Sequence, residues 1–128
     1  MLEILEQKDL TGYAGRLPER PSDTVHVSEA IENGRVIGYI IYAYTPQQVE
    51  IYAVEDGHDW NYCDGLVRSV LFKAQLRGLD RARFAEQDPA MVQRLTALGF
   101  IKNDENILEN IADIMDSCKK CKENPANT

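Results

Sequence analysis

The dipeptide Asn33-Gly34 lies between two runs of apolar residues, VHVSEAI at 25–31 and VIGYIIYAY at 36–44. Both residues of the dipeptide tolerate the positive φ angles of a tight turn, so this arrangement predicts a β-hairpin. The second run is apolar on both faces, which is typical of a strand in the middle of a sheet. VEIYAV at 49–54 follows as a third strand. Together the three segments predict an antiparallel meander.

After residue 54 the apolar period changes from that of a strand to that of a helix. Five apolar residues recur at helical spacing: Leu66, Val67, Val70, Leu71 and Ala74. Gly78 is expected to end this helix. The short strand ARFAE, at 82–86, should then run parallel to the third strand, because a right-handed crossover through a helix joins parallel strands.

A second helix is predicted after Asp88 and Pro89. Aspartate is a favoured helix cap, and proline is favoured at the first helical position. Gly99 is expected to end the helix, and Phe100-Ile101 to open a further strand.

The two ends of the chain carry weaker patterns. MLEILEQ at 1–7 predicts a first strand, and 12–23 a loop or a short helical turn. NILENI at 106–111 is interpreted as a last hairpin strand and IADIMDSC as a short helix. The polar segment 117–128 is expected to be a flexible tail.

The 128 residues suffice for one domain, predicted over 1–128 with its core at about 24–101. The net charge of -7, from 21 acidic and 14 basic side chains, argues against nucleic-acid binding, which requires clustered basic residues. No apolar run approaches the roughly 20 residues that span a membrane. The start of the chain does not resemble a secretion signal, so a cytoplasmic protein is expected.

The order of these elements resembles the GCN5-related N-acetyltransferase family. Four segments carry the resemblance, over about residues 24–101: ENGRVIGYIIY, VEIYAV, LRGLDRARF and DPAMVQRLTALGF. It implies an α+β fold with a mixed, mostly antiparallel sheet of six or seven strands and helices on both faces. The tail and the DGLVRSVL segment are also similar to small clostridial-type proteins that end in a cysteine pair.

The resemblance implies a binding site for acetyl-coenzyme A in the turn after VEIYAV. In the family a glycine-rich turn presents backbone N–H groups to the cofactor diphosphate. Here HDWNYC at 58–63 occupies that place, without its glycines. The resemblance assigns these residues to the site: Ala53, Val54, His58, Asn61, Tyr62, Cys63 and Gly65. Cofactor binding is therefore expected to be weak or absent.

Two interpretations of this turn stay open. If Asn61 caps the helix, Asp64 occupies the third helical position and neutralises the N–H groups that would bind phosphate. Alternatively the turn is a weakened cofactor site, in which displacing Asp64 costs on the order of one or two kcal/mol. Trp60 is expected to fill the space that glycines would leave.

The resemblance also places a general base at Glu50, although Glu50 can equally be an outward residue of a half-exposed strand. The family often has a tyrosine acid in the segment that reads LTALGF here, but this chain has Leu95 at that position. Tyr52, Tyr62 and Cys63 are the candidate replacements, and the sequence favours none of them.

Cys118 and Cys121 form a Cys-x-x-Cys pair near the end of the chain. Such a pair can capture a metal, close a redox disulfide or be inert, and the sequence leaves all three open. A structural zinc site needs four ligands, and no other cysteine or histidine stands at a recognisable spacing from the pair. No metal site is predicted.

The function that the resemblance implies is acyl transfer from acyl-coenzyme A to an amine, in a protein that can form a homodimer. The alternative is a non-catalytic binding or regulatory protein on the same scaffold, with the cysteine pair sensing metal or redox state.

Overall fold

The computed structural model describes residues 2–17, 25–86, 88–102 and 104–115. Its elements follow the chain as β1 (Leu2–Gln7), a 3-10 helix (Thr11–Arg16), β2 (Val25–Glu32), β3 (Arg35–Tyr44), β4 (Val49–Glu55), α1 (Trp60–Leu76), β5 (Ala82–Phe84), α2 (Pro89–Ala97) and β6 (Ile107–Leu108). The strands form one six-stranded sheet in chain order. No described helix is long and apolar enough to cross a membrane.

The predicted meander is confirmed. β1 to β4 pair in antiparallel fashion, with Val27 opposite Ile41 and Ile40 opposite Val54. Asn33 and Gly34 form the hairpin turn with φ angles of 54° and 79°. A bulge in the β3–β4 pair leaves Tyr52 as an extra residue on β4, because Ile41 pairs with Ala53 and Tyr42 with Ile51.

The crossover through α1 makes β5 parallel to β4, as the sequence predicts. The two strands have unequal lengths. The pairing runs only from Val49–Ala82 to Ile51–Phe84, with one further hydrogen bond from Ala85 N to Ile51 O at 2.7 Å. β4 continues to Glu55 beyond the end of β5. The last part of β4 therefore lies beside a gap in the sheet.

Each face of the sheet has its own apolar core. Both α-helices bury their apolar stripes on one face, where Leu66, Leu71 and Leu95 are fully buried against β3, β4 and β5. The 3-10 helix segment covers the other face, where Tyr13 and Leu17 pack on Val27 and Ile41. This arrangement confirms the α+β fold with a mixed, mostly antiparallel sheet and helices on both faces.

A polar cluster fastens the edge strand β1 to the helix face. The Glu6 carboxylate contacts His26 Nδ1 at 2.8 Å, Lys73 Nζ at 3.3 Å and Tyr42 Oη at 3.3 Å. The buried Tyr42 hydroxyl also lies 3.0 Å from Ser28 Oγ. Burial alone would raise the pKa of Glu6, but the hydrogen bonds and charges of His26 and Lys73 outweigh it, so the pKa is lowered.

Two predictions after α2 need correction. Phe100 and Ile101 do not open a strand, because their amides hydrogen-bond back to Leu95 O at 3.0 and 3.4 Å and so close the end of α2. Of the segment 106–111, only Ile107–Leu108 pairs, antiparallel to β5. Residues 111–115 are helical, and the rest of that predicted helix lies outside the described residues.

Candidate functional site

The candidate site lies where β4 ends and α1 begins. This turn comprises Asp56, Gly57, His58 and Asp59. Gly57 and His58 both have positive φ angles, 62° and 63°. Glycine accepts this conformation freely, whereas a histidine there must be held by its surroundings. The backbone of the turn is thus tightly bent at two successive residues.

The backbone amides of the turn already have acceptors within the chain. The Gly57 amide donates to Glu55 Oε2 at 3.0 Å, and the His58 amide to Asp56 Oδ1 at 2.9 Å. The Asp59 amide donates to Asp56 O at 3.1 Å, and the Asn61 amide to Asp59 Oδ1 at 2.8 Å. Three carboxylates therefore accept three of the amides that the turn and the helix start could offer to an anion.

The prediction that Asn61 caps the helix is wrong. Asp59 is the cap of α1, and the helix begins at Trp60. Cys63 lies on the same buried face of α1 as Leu66 and Val67.

The role predicted for Asp64 is wrong as well. From a start at Trp60 it lies beyond the first turn, where a carboxylate would meet free helix amides. Its carboxylate instead accepts two hydrogen bonds from Arg68 Nε, both at 3.0 Å. The acidic side chains that block the turn are therefore Glu55, Asp56 and Asp59.

A buried ion pair ties the turn to α2. The Asp56 side chain is 2% exposed and accepts a hydrogen bond from Arg94 Nη1, whose side chain is 15% exposed. This hydrogen bond raises the pKa of Arg94 against the opposing effect of burial. The turn and α2 are consequently held together by charges that both leave solvent on folding.

Close approach of β3 also fixes the start of the turn. A Cβ atom on Gly38 would lie 2.4 Å from the carbonyl oxygen of Glu55, well inside van der Waals contact. The position therefore requires glycine, and the turn rests directly on the β3 backbone.

Glu50 lies on the sheet face opposite the α-helices and is 5% exposed. Its carboxylate accepts hydrogen bonds from Tyr52 Oη and from Gln48 Nε2, the latter at 2.9 Å. Arg83 Nη1 lies 3.8 Å from Oε2. The expectation of an outward residue on a half-exposed strand is wrong, since this is a buried and ordered carboxylate near the end of the β4–β5 pairing.

Glu86 is a member of the site that sequence reasoning missed. It follows β5, across the gap from β4, and its carboxylate interacts with the backbone N–H groups of Val54 and Asp88. Burial raises its pKa to about 7, and the negative charges of Asp88 and Glu55 add to this. No sequence pattern identifies Glu86 as a site residue, because it lies near Val54 only in the folded chain.

We expect Glu86→Gln to change how stability depends on pH. The folded-state pKa of about 7 lies above the ordinary 4.5, so Glu86 stabilises the fold at pH below 4.5 and loses this contribution as the pH rises through 7. The amide of the variant does not titrate. Relative to wild type, the variant should therefore gain about 1 kcal/mol in free energy of unfolding between pH 5 and pH 8, after allowance for solvent screening.

Urea unfolding at several pH values measures this difference. Glu109→Gln serves as the control, because it makes the same substitution at a side chain that is 64% exposed. Parallel curves for Glu86→Gln would contradict the expectation.

The other residues predicted for the cofactor site fall into two groups. The side chains of Val54 and Cys63 belong to the helix-side core, and Ala53 packs in the opposite core, so only their backbones can face a ligand. Burial raises the pKa of the Cys63 thiol to about 12, with a further contribution from Asp56. Cys63 is therefore a structural thiol, as its 3.9 Å contact with Met91 Sδ indicates.

The second group lies at the surface of the turn and the start of α1. His58 is exposed, Tyr62 is half-buried, and Gly65 lies against the Ile4 side chain of β1. Trp60 is 49% exposed, so the prediction that it plugs the site is wrong. It lines a cavity of about 310 Å³ with Ala90, Gln93, Arg94 and Ala97 of α2.

Leu95 is fully buried in the helix-side core, so no acid group stands at the position where the resemblance implies a tyrosine. Cys118 and Cys121 lie outside the described residues. Among the described part of the chain, no group of three or more histidine, cysteine or acidic side chains could hold a metal.

The turn in this conformation does not fit the diphosphate of coenzyme A. Four of its amides donate to internal acceptors, and three of those acceptors are carboxylates. Beyond Ile51, β4 is not paired with β5, and the Glu86 carboxylate accepts the Val54 amide there.

The fold is shared with several solved acetyltransferases. One is the ribosomal-protein-alanine N-acetyltransferase from Brucella melitensis biovar Abortus, with a TM-score of 0.61 and 16% identity over 81% of this chain and 94% of that chain. Another is an aminoglycoside N-acetyltransferase in complex with coenzyme A, with a TM-score of 0.59 and 16% identity over 81% and 90% of the two chains. A third is an acetyltransferase from Elizabethkingia anophelis with acetyl-coenzyme A bound. Its TM-score is 0.56 and its identity 13%, over 80% of this chain and 78% of that chain.

No protein-family model and no curated protein matches the sequence significantly. At such low identities the structural likeness concerns the arrangement of the elements and not the site residues. The chain thus has the fold of the GCN5-related N-acetyltransferases.

Proposed function

We propose that the protein is an N-acyltransferase that transfers an acyl group from a thioester to an amine, with Glu50 as general base. The observation that carries this proposal is the buried Glu50 carboxylate, held by Tyr52 and Gln48 one residue before Ile51, where the pairing of β4 with β5 ends. The shared fold also supports the proposal, because solved structures with this fold include proteins named as N-acetyltransferases.

In this reaction Glu50 has one role, which is to accept a proton from the amine. An amine is mostly protonated at neutral pH, and it must lose a proton before its nitrogen can attack the acyl carbon. A buried carboxylate within reach of the amine, directly or through one water, can accept that proton. The new N–C bond then forms as the C–S bond breaks, and the thiol leaves with a proton.

The hydrogen bonds on Glu50 hold its carboxylate in one orientation. Tyr52 donates to Oε1 and Gln48 to Oε2, while the Arg83 guanidinium lies on the side of Oε2. The residues that surround Glu50 therefore support its proposed role.

Glu50→Gln is expected to lower the rate of acyl transfer at least 100-fold, because general bases contribute about 10²–10⁴-fold. The assay follows thiol release from acetyl-coenzyme A and from S-acetylpantetheine, with an aminoglycoside and a peptide with an N-terminal alanine as amine probes. Glu109→Gln is the matched control. It makes the same substitution at a surface carboxylate far from Glu50 in the sequence, and it should retain the wild-type rate. Equal rates for Glu50→Gln and wild type would rule out this role.

A second candidate is a non-catalytic binding protein on the same scaffold. The internally satisfied amides of the turn and the apolar Leu95 favour it. It predicts no amine-dependent loss of either thioester and no thermal stabilisation by either at millimolar concentration, since a ligand that binds the folded state must stabilise it.

A further inference from the structure

We infer that the acyl donor of this site is a thioester whose thiol carries no nucleotide diphosphate, such as an acyl-pantetheine. The inference rests on the proposed acyl transfer and specifies the class of its donor. It follows from the turn, where carboxylates of the chain itself accept the backbone amides, while β4 beyond Ile51 is not paired with β5.

The turn would have to release its own hydrogen bonds before it could bind a diphosphate. Glu55 Oε2, Asp56 Oδ1 and Asp59 Oδ1 each accept a turn or helix amide at 2.8–3.0 Å. Asp59 also caps α1, and Asp56 is bound to Arg94 in the interior. An incoming phosphate would compete with acceptors that the fold itself holds in place.

Charge acts in the same direction. Asp56 and Asp59 lie on the turn and Glu55 directly precedes it, and the negative charge of Glu55 acts on Glu86. Two arginines of α1 and α2 are paired within the fold, Arg94 with Asp56 and Arg68 with Asp64. A diphosphate at the turn would approach the carboxylates of Glu55, Asp56 and Asp59, and like charges at this spacing repel.

The half of the site that would hold the acyl chain does not depend on the turn. Beyond Ile51 the backbone of β4 is no longer paired with β5, and the Glu86 carboxylate accepts a hydrogen bond from the Val54 amide there. An extended ligand with amide groups can add to such an edge through backbone hydrogen bonds once Glu86 releases that amide. Pantetheine is a chain of this kind and carries no charge. Its thioester would lie toward Glu50 and Tyr52, which are intact.

The test compares three donors that differ in phosphate content: S-acetylpantetheine, S-acetyl-4′-phosphopantetheine and acetyl-coenzyme A. Calorimetry measures the affinity of the full chain for each donor. The salt concentration is about 0.15 M, because distant charges are then screened and only charges near the ligand affect its binding. We expect S-acetylpantetheine to bind at least as tightly as acetyl-coenzyme A. A more than twofold preference for acetyl-coenzyme A would overturn the inference.

A double variant, Glu55→Gln with Asp59→Asn, tests the cause. Both amides retain an oxygen acceptor, and asparagine remains a good helix cap, so the turn should keep its shape. We expect the affinity for acetyl-coenzyme A to rise at least tenfold and that for S-acetylpantetheine to stay within twofold. Glu3→Gln with Glu109→Gln removes the same charge far from the turn and should change neither affinity.

The possible failures can be told apart. If the double variant leaves the ratio of the two affinities unchanged, the carboxylates do not select the donor, and the inference fails while acyl transfer stands. If neither thioester binds and neither is consumed with an amine, the proposed function itself fails.

Discussion

Replacing Asp56 with alanine is expected to lower the free energy of unfolding by about 3 kcal/mol or more. The substitution leaves the Arg94 guanidinium, only 15% exposed, without its carboxylate partner. It also removes the acceptor of the His58 amide, which holds that residue at a positive φ angle. Urea unfolding at pH 7 measures the effect.

Asp64→Ala is the matched control. Its pair with Arg68 joins neighbouring turns of α1, and both side chains are partly exposed to solvent. Pairs of this kind contribute about 0.5 kcal/mol or less. A similar loss in the two variants would mean that the Asp56–Arg94 pair does not fasten the turn to α2.

Gly38→Ala is expected to have the second large effect, a loss of roughly 2–3 kcal/mol. The added Cβ atom would lie 2.4 Å from the carbonyl oxygen of Glu55. A backbone carbonyl cannot rotate away as a side chain does, so β3 and the end of β4 must separate. The change should therefore also loosen the turn, which is measurable as faster hydrogen exchange of the Gly57 and His58 amides.

Gly15→Ala provides the comparison. No atom lies within 4 Å of a Cβ at this position, so the substitution meets open space. Its effect on stability should be within about 0.5 kcal/mol of zero, as for other surface changes. If Gly38→Ala is equally harmless, the close approach of β3 to the turn is not needed.

The local patterns of the sequence were sufficient for most of the sheet and both helices. Asn33-Gly34 produces its hairpin because the positive φ angles are a property of those two residues. Asp88 and Pro89 start α2 for a similarly local reason, and Asp88 accepts the Ala90 amide at 3.2 Å. Phe100-Ile101 was mistaken for a strand because its apolar side chains fit either a strand or the buried end of a helix.

The candidate site could be foreseen only in part. The missing glycines of the turn predict a poor diphosphate site, which stays a prediction. In the structure, acidic side chains accept three of the amides there. Which acids do so was not predictable. Asp59 and Asn61 are almost equivalent caps by type, and the cap of the folded helix is Asp59.

The sequence by itself determined the order of the strands and helices, because turn residues, caps and apolar periods act over a few neighbouring positions. Tertiary structure alone decided the chemistry of the site. Asp56 meets Arg94, and Glu86 faces Val54, across long separations in the chain, and only packing brings them together. Burial then fixes their charges and hydrogen bonds, since a charged group that leaves water must find its partner inside the fold.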